Sequence, residues 1–417
     1  MDLDARRWRQ SLTVLFFLPG LGLSSWVTRT PDIRDRLDAS TAEMGLVFSG
    51  LAAGSMIGIL ASSPLVRRMA SRRVIALGTS FVAVGIGTAG GGTFLSSGLV
   101  VTTGVAVFGT GMGIVEFAVN IDGVTLEHAT GSSVLPAVHG CFSLGIVTGS
   151  LIGLVASVLG LGVQSHLGTM ALVVIVALLY AIRAVPPGNG REQGRSASSR
   201  PGFRTARGLW KDTRLLLIGL VMLTMALAEG AANDWLPLLM VDAHRHDDTL
   251  ASLAYTAFAA AETLGRFSAG LLVERFGRTA VLRAGAAATA AGIAPVALSD
   301  STLLVGVGVL LWGAGASIGF PVALSAAGDS GPEQAARVSL IATIGYSAFL
   351  AGPPVLGVIG NHHGLRAALL IVLGSVVVAI FAVPAIGERR EPDTGPTSGQ
   401  PSRLAAEGES DRPSSAG

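Results

Sequence analysis

The chain has 417 residues, 50% of them hydrophobic and only 13% charged, with a mean hydropathy of +0.61. Soluble proteins carry about a quarter charged residues, so the composition excludes an ordinary soluble enzyme, and a net charge of +2 gives no footing to a nucleic-acid partner. The single cysteine, Cys141, excludes an intrachain disulfide.

A hydrocarbon core about 30 Å thick needs about 20 apolar helical residues, and twelve stretches meet that length. In the first half they fall near 11–30, 43–66, 73–94, 98–121, 135–158 and 167–184. The first, "SLTVLFFLPGLGLSSW", has the apolar run of a signal peptide, but no small-residue cleavage site follows, so it reads as a retained span. Residues 185–212 read as a flexible basic linker. Six more spans fall near 213–236, 250–273, 280–299, 302–326, 337–358 and 366–386. Residues 388–417, rich in Pro, Ser, Gly and Glu, predict a disordered tail. Backbone groups in lipid must bond internally, so the spans are helices, and the expected fold is an all-α membrane protein. With the N-terminus inside, 23 of the 29 basic residues fall on the inner side. That bias predicts both termini in the cytoplasm and a multi-pass protein of the cytoplasmic (inner) membrane.

The two halves repeat. "LVRRMASRRVIALG" (65–78) and "LVERFGRTAVLRAG" (272–285) both join a second helix to a third, with Gly58 and Gly265 at the same distance before them. "GLGLSSW" (20–26) and "EGAANDW" (229–235) each end a first helix on tryptophan, a residue suited to the membrane interface. The offsets, 207 and 209, predict two six-helix bundles, 1–184 and 213–387. Parallel repeats of this kind place a substrate site between the halves near the bilayer midplane.

The loop "GLLVERFGR" (270–278) resembles the signature G-x-x-x-D/E-R-x-G-R of the major facilitator superfamily, with Gly270, Glu274, Arg275, Gly277 and Arg278 in register. The resemblance implies a tight glycine turn whose acid and arginines clamp helix ends on the cytoplasmic side. The first-half copy departs from it, with Arg67 for the acid, Ala70 for the turn glycine and Ser71 after it. A gate that relies on the second copy is therefore expected. A narrower resemblance, to the MosC-like branch, is carried by "SSWVTRTPDI" (24–33), "GIVEFAVN" (113–120), "HGCFSLG" (139–145), "EGAANDW" and "GYSAFLAGPPVLG" (345–357). The namesake of that branch is associated with rhizopine, an inosamine. The resemblance implies transport more firmly than it implies a substrate.

Helices 1, 4, 7 and 10 line the cavity in the fold so implied. Glu229 lies about 24 Å along span 7 at 1.5 Å per residue, where a charge normally faces water or a partner. Two readings stand for it: a proton-coupling acid on a wet pathway, or a structural hydrogen bond to a neighbouring helix. Glu116 in span 4 is the second candidate. Each acid has an amide one turn on, Asn120 after Glu116 and Asn233 after Glu229, so that one face could take a proton and bind a polar solute. His139, which opens span 5, can titrate near neutral pH, or serve structurally. Trp26 and Tyr346 complete the expected cavity set. Glu262 and Arg266, at i and i+4 in span 8, suit an intrahelical ion pair. Arg29 and Asp234, each beside the tryptophan of an equivalent helix, are expected to meet at an outer gate.

Other patterns belong to packing. Gly145, Gly149 and Gly153 form a small-residue ridge on span 5, which lacks the Gly-Pro that marks span 5 of drug–proton antiporters. Gly352-Pro353-Pro354 predicts a kink in span 11. "HRHDD" (244–248) and His362-His363 read as solvated loops rather than metal sites. There is no G-x-x-x-x-G-K-S/T to bind ATP and no nucleophile–base pair, so neither a cofactor nor catalysis is expected. The expected function is secondary active transport, proton-coupled, of a small polar organic solute (sugar- or cyclitol-like), by a monomer in lipid that alternates access. An efflux pump for a drug or self-made metabolite is the alternative in the same class. A non-transporting sensor or a lipid-handling protein on the same fold is the alternative in another.

Overall fold

Peptide groups in hydrocarbon have no water to bond, so each apolar run closes its hydrogen bonds along its own helix. A computed structural model describes residues 3–189 and 208–386. Its helices are α1 (Leu3–Val27), α2 (Thr30–Leu37), α3 (Thr41–Met69), α4 (Ser71–Phe94), α5 (Gly98–Thr130), α6 (Leu135–Val158) and α7 (Val163–Ala181), then α8 (Thr213–Asp242), α9 (Asp248–Phe276), α10 (Arg278–Leu298), α11 (Thr302–Ala316), α12 (Gly319–Gly328), α13 (Gln334–His363) and α14 (Leu365–Ala382). No strand occurs among the described residues. Residues 190–207 of the expected linker and the whole expected tail lie outside them.

Eleven spans, not twelve, are both long and apolar enough to cross a membrane among the described residues. The one that falls short is α9, 29 residues long but carrying Asp248, Glu262, Arg266, Glu274 and Arg275. The tenth expected span is two helices, α11 and α12, which together cross. Hydropathy marks only the greasy part of a helix, so α5 runs on to Thr130 and α8 to Asp242, past the expected ends near 121 and 236. α13 stays helical through Pro353 and Pro354. Large apolar side chains such as Leu99, Tyr180 and Phe381 point outward at about 80% exposure, as hydrocarbon contact requires.

The repeat is legible in the packing. A methyl group on Gly111 of α5 would meet the Gly78 carbonyl of α4 at 2.5 Å, and one on Gly315 of α11 would meet the Gly285 carbonyl of α10 at 2.5 Å. Gly104 approaches the Gly85 carbonyl at 2.9 Å as Gly308 approaches that of Gly292 at 2.6 Å. The pairs match with an offset of 207 on one helix (78 to 285) and 204 on the other (111 to 315). By Asp122 and Asp329 the second offset has returned to 207. The three added residues fall where α11 breaks into α12, at Ser317 and Ile318. Within the first half, Gly145, Gly149 and Gly153 of α6 seat against Phe17, Leu21 and Thr28 of α1, the close approach that small residues allow.

The hairpins α3–α4 and α9–α10 turn on Ala70 (φ 66°, ψ 158°) and Gly277 (φ 79°, ψ 155°). Two such turns differ in sequence and agree in shape. After Gly277, Arg278 forms an ion pair with Asp329. After Ala70, Ser71 donates from Oγ to Asp122 Oδ1 at 2.9 Å, and Asp122 is fully buried. The first half thus has a contact of its own at the equivalent place, with a neutral donor that suits a dry site. Of the other signature residues, Gly270 faces open space, and Glu274 and Arg275 are exposed. Arg275 lies over the ring of Phe276, 5.4 Å from its centroid.

Candidate functional site

The seam between the halves carries a cluster of buried charge. Residues i and i+4 share a helix face, so Glu262 and Arg266 of α9 point the same way, and Glu229 of α8 reaches them from the neighbouring helix. Arg266 Nη2 lies 2.6 Å from Glu229 Oε1 and 2.5 Å from Glu262 Oε1. Glu262 is 2% exposed, Glu229 12% and Arg266 30% at the side chain. α6 of the first half completes the group: Arg266 Nη1 donates to Ser143 Oγ at 3.4 Å, and Thr263 Oγ1 to the Ser143 carbonyl at 3.5 Å. With both acids ionised the cluster carries one net negative charge, and one proton makes it neutral. Of the two readings for Glu229, the bond to a neighbouring helix is present, and the intrahelical pair of Glu262 with Arg266 is formed and extended by Glu229 into a triad. A lone carboxylate at this depth would lack the hydration it needs; the guanidinium supplies the replacement.

The two amides are engaged as well. Asn120 Oδ1 lies 3.0 Å from His139 Nε2, which joins α5 to α6. Asn233 Oδ1 accepts from Tyr255 Oη at 3.1 Å, which joins α8 to α9. His139 is exposed, and its ring stands edge-on to Phe16 at 5.0 Å. Glu116 is half-buried and makes no hydrogen bond or ion pair with another described residue. Tyr346 stacks edge-on against Phe320 at 6.0 Å and lies within electrostatic range of Glu116. So Glu116, Asn120, His139 and Tyr346 form one group at the seam, and Glu229, Glu262, Arg266 and Asn233 an adjoining one, with His139 within electrostatic range of Arg266.

At the α2 end the halves meet tightly. Phe48 of α3 stands edge-on to Trp235 of α8 at 5.1 Å. A methyl on Gly45 would meet the Pro353 carbonyl at 2.7 Å. Ser252 donates to the Thr28 carbonyl at 3.2 Å. Trp26 and Trp235 are 3% and 5% exposed, so both tryptophans sit in packed interior rather than on the outer surface. Nor does Arg29 contact Asp234. Its Nε lies 3.0 Å from Asp32, and it donates to Ser157 Oγ at 3.2 Å and the Leu161 carbonyl at 2.7 Å. A nearer acid one turn on outcompetes a distant one. Among the described residues, an ion pair of Arg34 with Asp242 joins the halves at this end.

Several of these residues escaped the sequence reading. Asp122 and Asp329 were findable, because they obey the 207-residue offset. Ser143 lies inside "HGCFSLG", yet one hydroxyl among apolar residues signals nothing without its partner. Arg34 and Asp242 look like ordinary charges at helix ends.

Long apolar helices and two repeated halves, with buried charge on the seam between them, define a multi-pass membrane protein. Comparison with known proteins agrees. The Major Facilitator Superfamily profile matches residues 235–413. An MFS-type transporter of Yersinia pestis is 31% identical over 378 residues, covering 90% of this chain and 94% of that one. The membrane protein MosC of Rhizobium meliloti is 26% identical over 375 residues, 88% of each chain. A crystal structure of a variant of the nucleoside transporter NupG superposes with a TM-score of 0.74 at 17% identity, covering 91% of this chain and 100% of that one. The chain belongs to the Major Facilitator Superfamily and is similar to its MosC-like members.

Proposed function

We propose that the chain is a proton-coupled secondary transporter that moves a small polar organic solute by alternating access, with Glu229, Arg266 and Glu262 as its coupling centre. The observation that carries the reading is the sharing of Arg266 by two acids at the seam, with Ser143 of the other half against it. One proton changes the charge of this cluster, and the cluster bonds to both halves, so loading it alters what holds the seam together. Glu116, Asn120, His139 and Tyr346 form the solute-binding region in this reading. The nucleoside transporter with the same fold supports a polar organic solute, and the sugar- or cyclitol-like class belongs to the proposal.

The remaining parts follow the same frame. α9 is counted as the twelfth span, because Arg266 in its middle bonds Glu262 and Glu229 within the bundle. The division into bundles 1–184 and 213–387, both termini in the cytoplasm, the inner membrane and a monomeric unit complete the proposal. The closed α2 end then faces outward, and the conformation is one that admits solute from the cytoplasm.

Proteoliposomes test it with a panel of sugars, cyclitols and nucleosides. Wild-type protein should accumulate one of them under a pH gradient and collapse when the gradient does. Glu229→Gln should keep substrate exchange without a gradient and lose accumulation. A Glu229→Gln variant that accumulates solute at the wild-type rate and pH dependence places coupling elsewhere.

A further inference from the structure

At the end of the bundle opposite α2, a cleft of about 1070 Å³ opens between the start of α1, the start of α4, the end of α5 and residues 182–187. It lies within the first half, away from the seam. Arg7, Arg72 and Arg183 line it, and Asp4 is the one acid among its described lining residues. None of the three arginines makes a hydrogen bond or ion pair with another described residue, unlike Arg278, Arg337 and Arg366 at other loops. Trp8 forms a wall, and Thr130 and Ser132 bring hydroxyls 2.8 Å apart. Three like charges drawn from three separate stretches of chain repel unless an anion joins them. Guanidinium forks match phosphate oxygens two at a time. Its lining residues fall at or just beyond the ends of the expected spans 11–30, 73–94, 98–121 and 167–184, near the depth at which lipid phosphates lie.

We propose that this cleft binds the phosphate of an anionic lipid headgroup, held by Arg7, Arg72 and Arg183 with Trp8 beside it. The site is independent of the transport reading, because none of its residues lies on the seam. A soluble phosphate offers the same oxygens, but only a lipid is delivered at this depth with its acyl chains already in the bilayer.

The test uses the full chain in phosphatidylcholine nanodiscs doped with phosphatidylglycerol, with retained lipid counted by native mass spectrometry. Arg7→Gln/Arg72→Gln/Arg183→Gln should weaken phosphatidylglycerol retention by on the order of a hundredfold. The matched control is Arg67→Gln/Arg68→Gln/Arg73→Gln, which removes equal charge from the same end; Arg67, Arg68 and Arg73 do not line the cleft. The control should retain lipid as wild type does. Equal loss in both triples means diffuse attraction to basic loops and overturns the site, as does no loss in either. Inorganic phosphate is the second arm: if it protects the wild type against heat as well as phosphatidylglycerol does, and the cleft triple abolishes that protection, the lipid assignment fails. If the triple does not fold, the three single exchanges are read instead, and each should weaken retention by about fivefold; singles that all retain lipid like wild type sink the proposal.

Discussion

One nitrogen of Arg266 serves two acids: Nη2 lies 2.6 Å from Glu229 Oε1 and 2.5 Å from Glu262 Oε1. Removing the cation therefore differs in kind from removing either anion. Arg266→Gln leaves two buried carboxylates against each other, and breaking such a group costs about 3–5 kcal/mol. The lower end is expected, since Arg266 is 30% exposed. Glu262→Gln leaves a balanced one-to-one pair and should cost much less. Thermal unfolding in detergent decides it, and equal losses for the two variants would mean that the shared cation does not hold the cluster.

The glycine pairs give a second prediction. Gly104→Ala and Gly308→Ala drive a methyl into the facing helix, at 2.5 Å from the Ala89 nitrogen and 2.6 Å from the Gly292 carbonyl. Backbone cannot move aside as a side chain can, so each should destabilise by about 1–3 kcal/mol. Gly168→Ala and Gly374→Ala meet nothing within 4 Å, and a helix gains up to about 1 kcal/mol from the exchange. Melting temperatures should fall for the first pair and hold or rise for the second. The same ordering in both halves is what a duplicated architecture requires.

Ala70 carries a third. It holds φ 66° and ψ 158°, a conformation that costs a residue with a β-carbon about 1–3 kcal/mol. Gly277 holds the equivalent turn without that cost. Ala70→Gly should therefore raise the unfolding temperature, and Gly277→Ala should lower it. An Ala70→Gly variant that melts below wild type would show that the methyl's packing outweighs the strain.

The sequence made the helices and their duplication readable for a physical reason. Lipid forbids open backbone, so an apolar run of sufficient length has one outcome, and close-packed glycines leave an offset that survives divergence. α9 strained that logic, because Glu262 and Arg266 bond to each other inside the bundle, and a span that pairs its central charges need not be greasy. The seam was harder. Glu229, Glu262 and Arg266 were each conspicuous as charges in apolar surroundings, but their assembly depends on how α8 rotates against α9, which spacing within one helix cannot specify. The pairing of Arg29 with Asp234 failed on the same ground. Both sit at the right ends of equivalent helices, yet a partner three residues away, Asp32, costs less chain ordering than one across the seam.

Arg34 and Asp242 belong to opposite halves and form an ion pair that crosses the seam at the α2 end. The surroundings are closed, with Phe48 against Trp235 and Ser252 against Thr28. Any passage that opens this end must part the pair. Its own contribution is small: Asp242 is 32% exposed, and pairs of that kind are worth about 0.2–1 kcal/mol. Neutralising both residues should shift the balance between closed and open forms by about fivefold or less. A covalent bond is a different matter. In a Cys141→Ser background, which removes the one native thiol, Arg34→Cys with Asp242→Cys should form a disulfide under mild oxidant. Transport should stop, and return when a reductant is added. Solute should still bind from the opposite side, as read by protection against heat. A cross-linked protein that transports at the rate of its reduced form would show that this end never opens, and that the solute takes another route through the bundle.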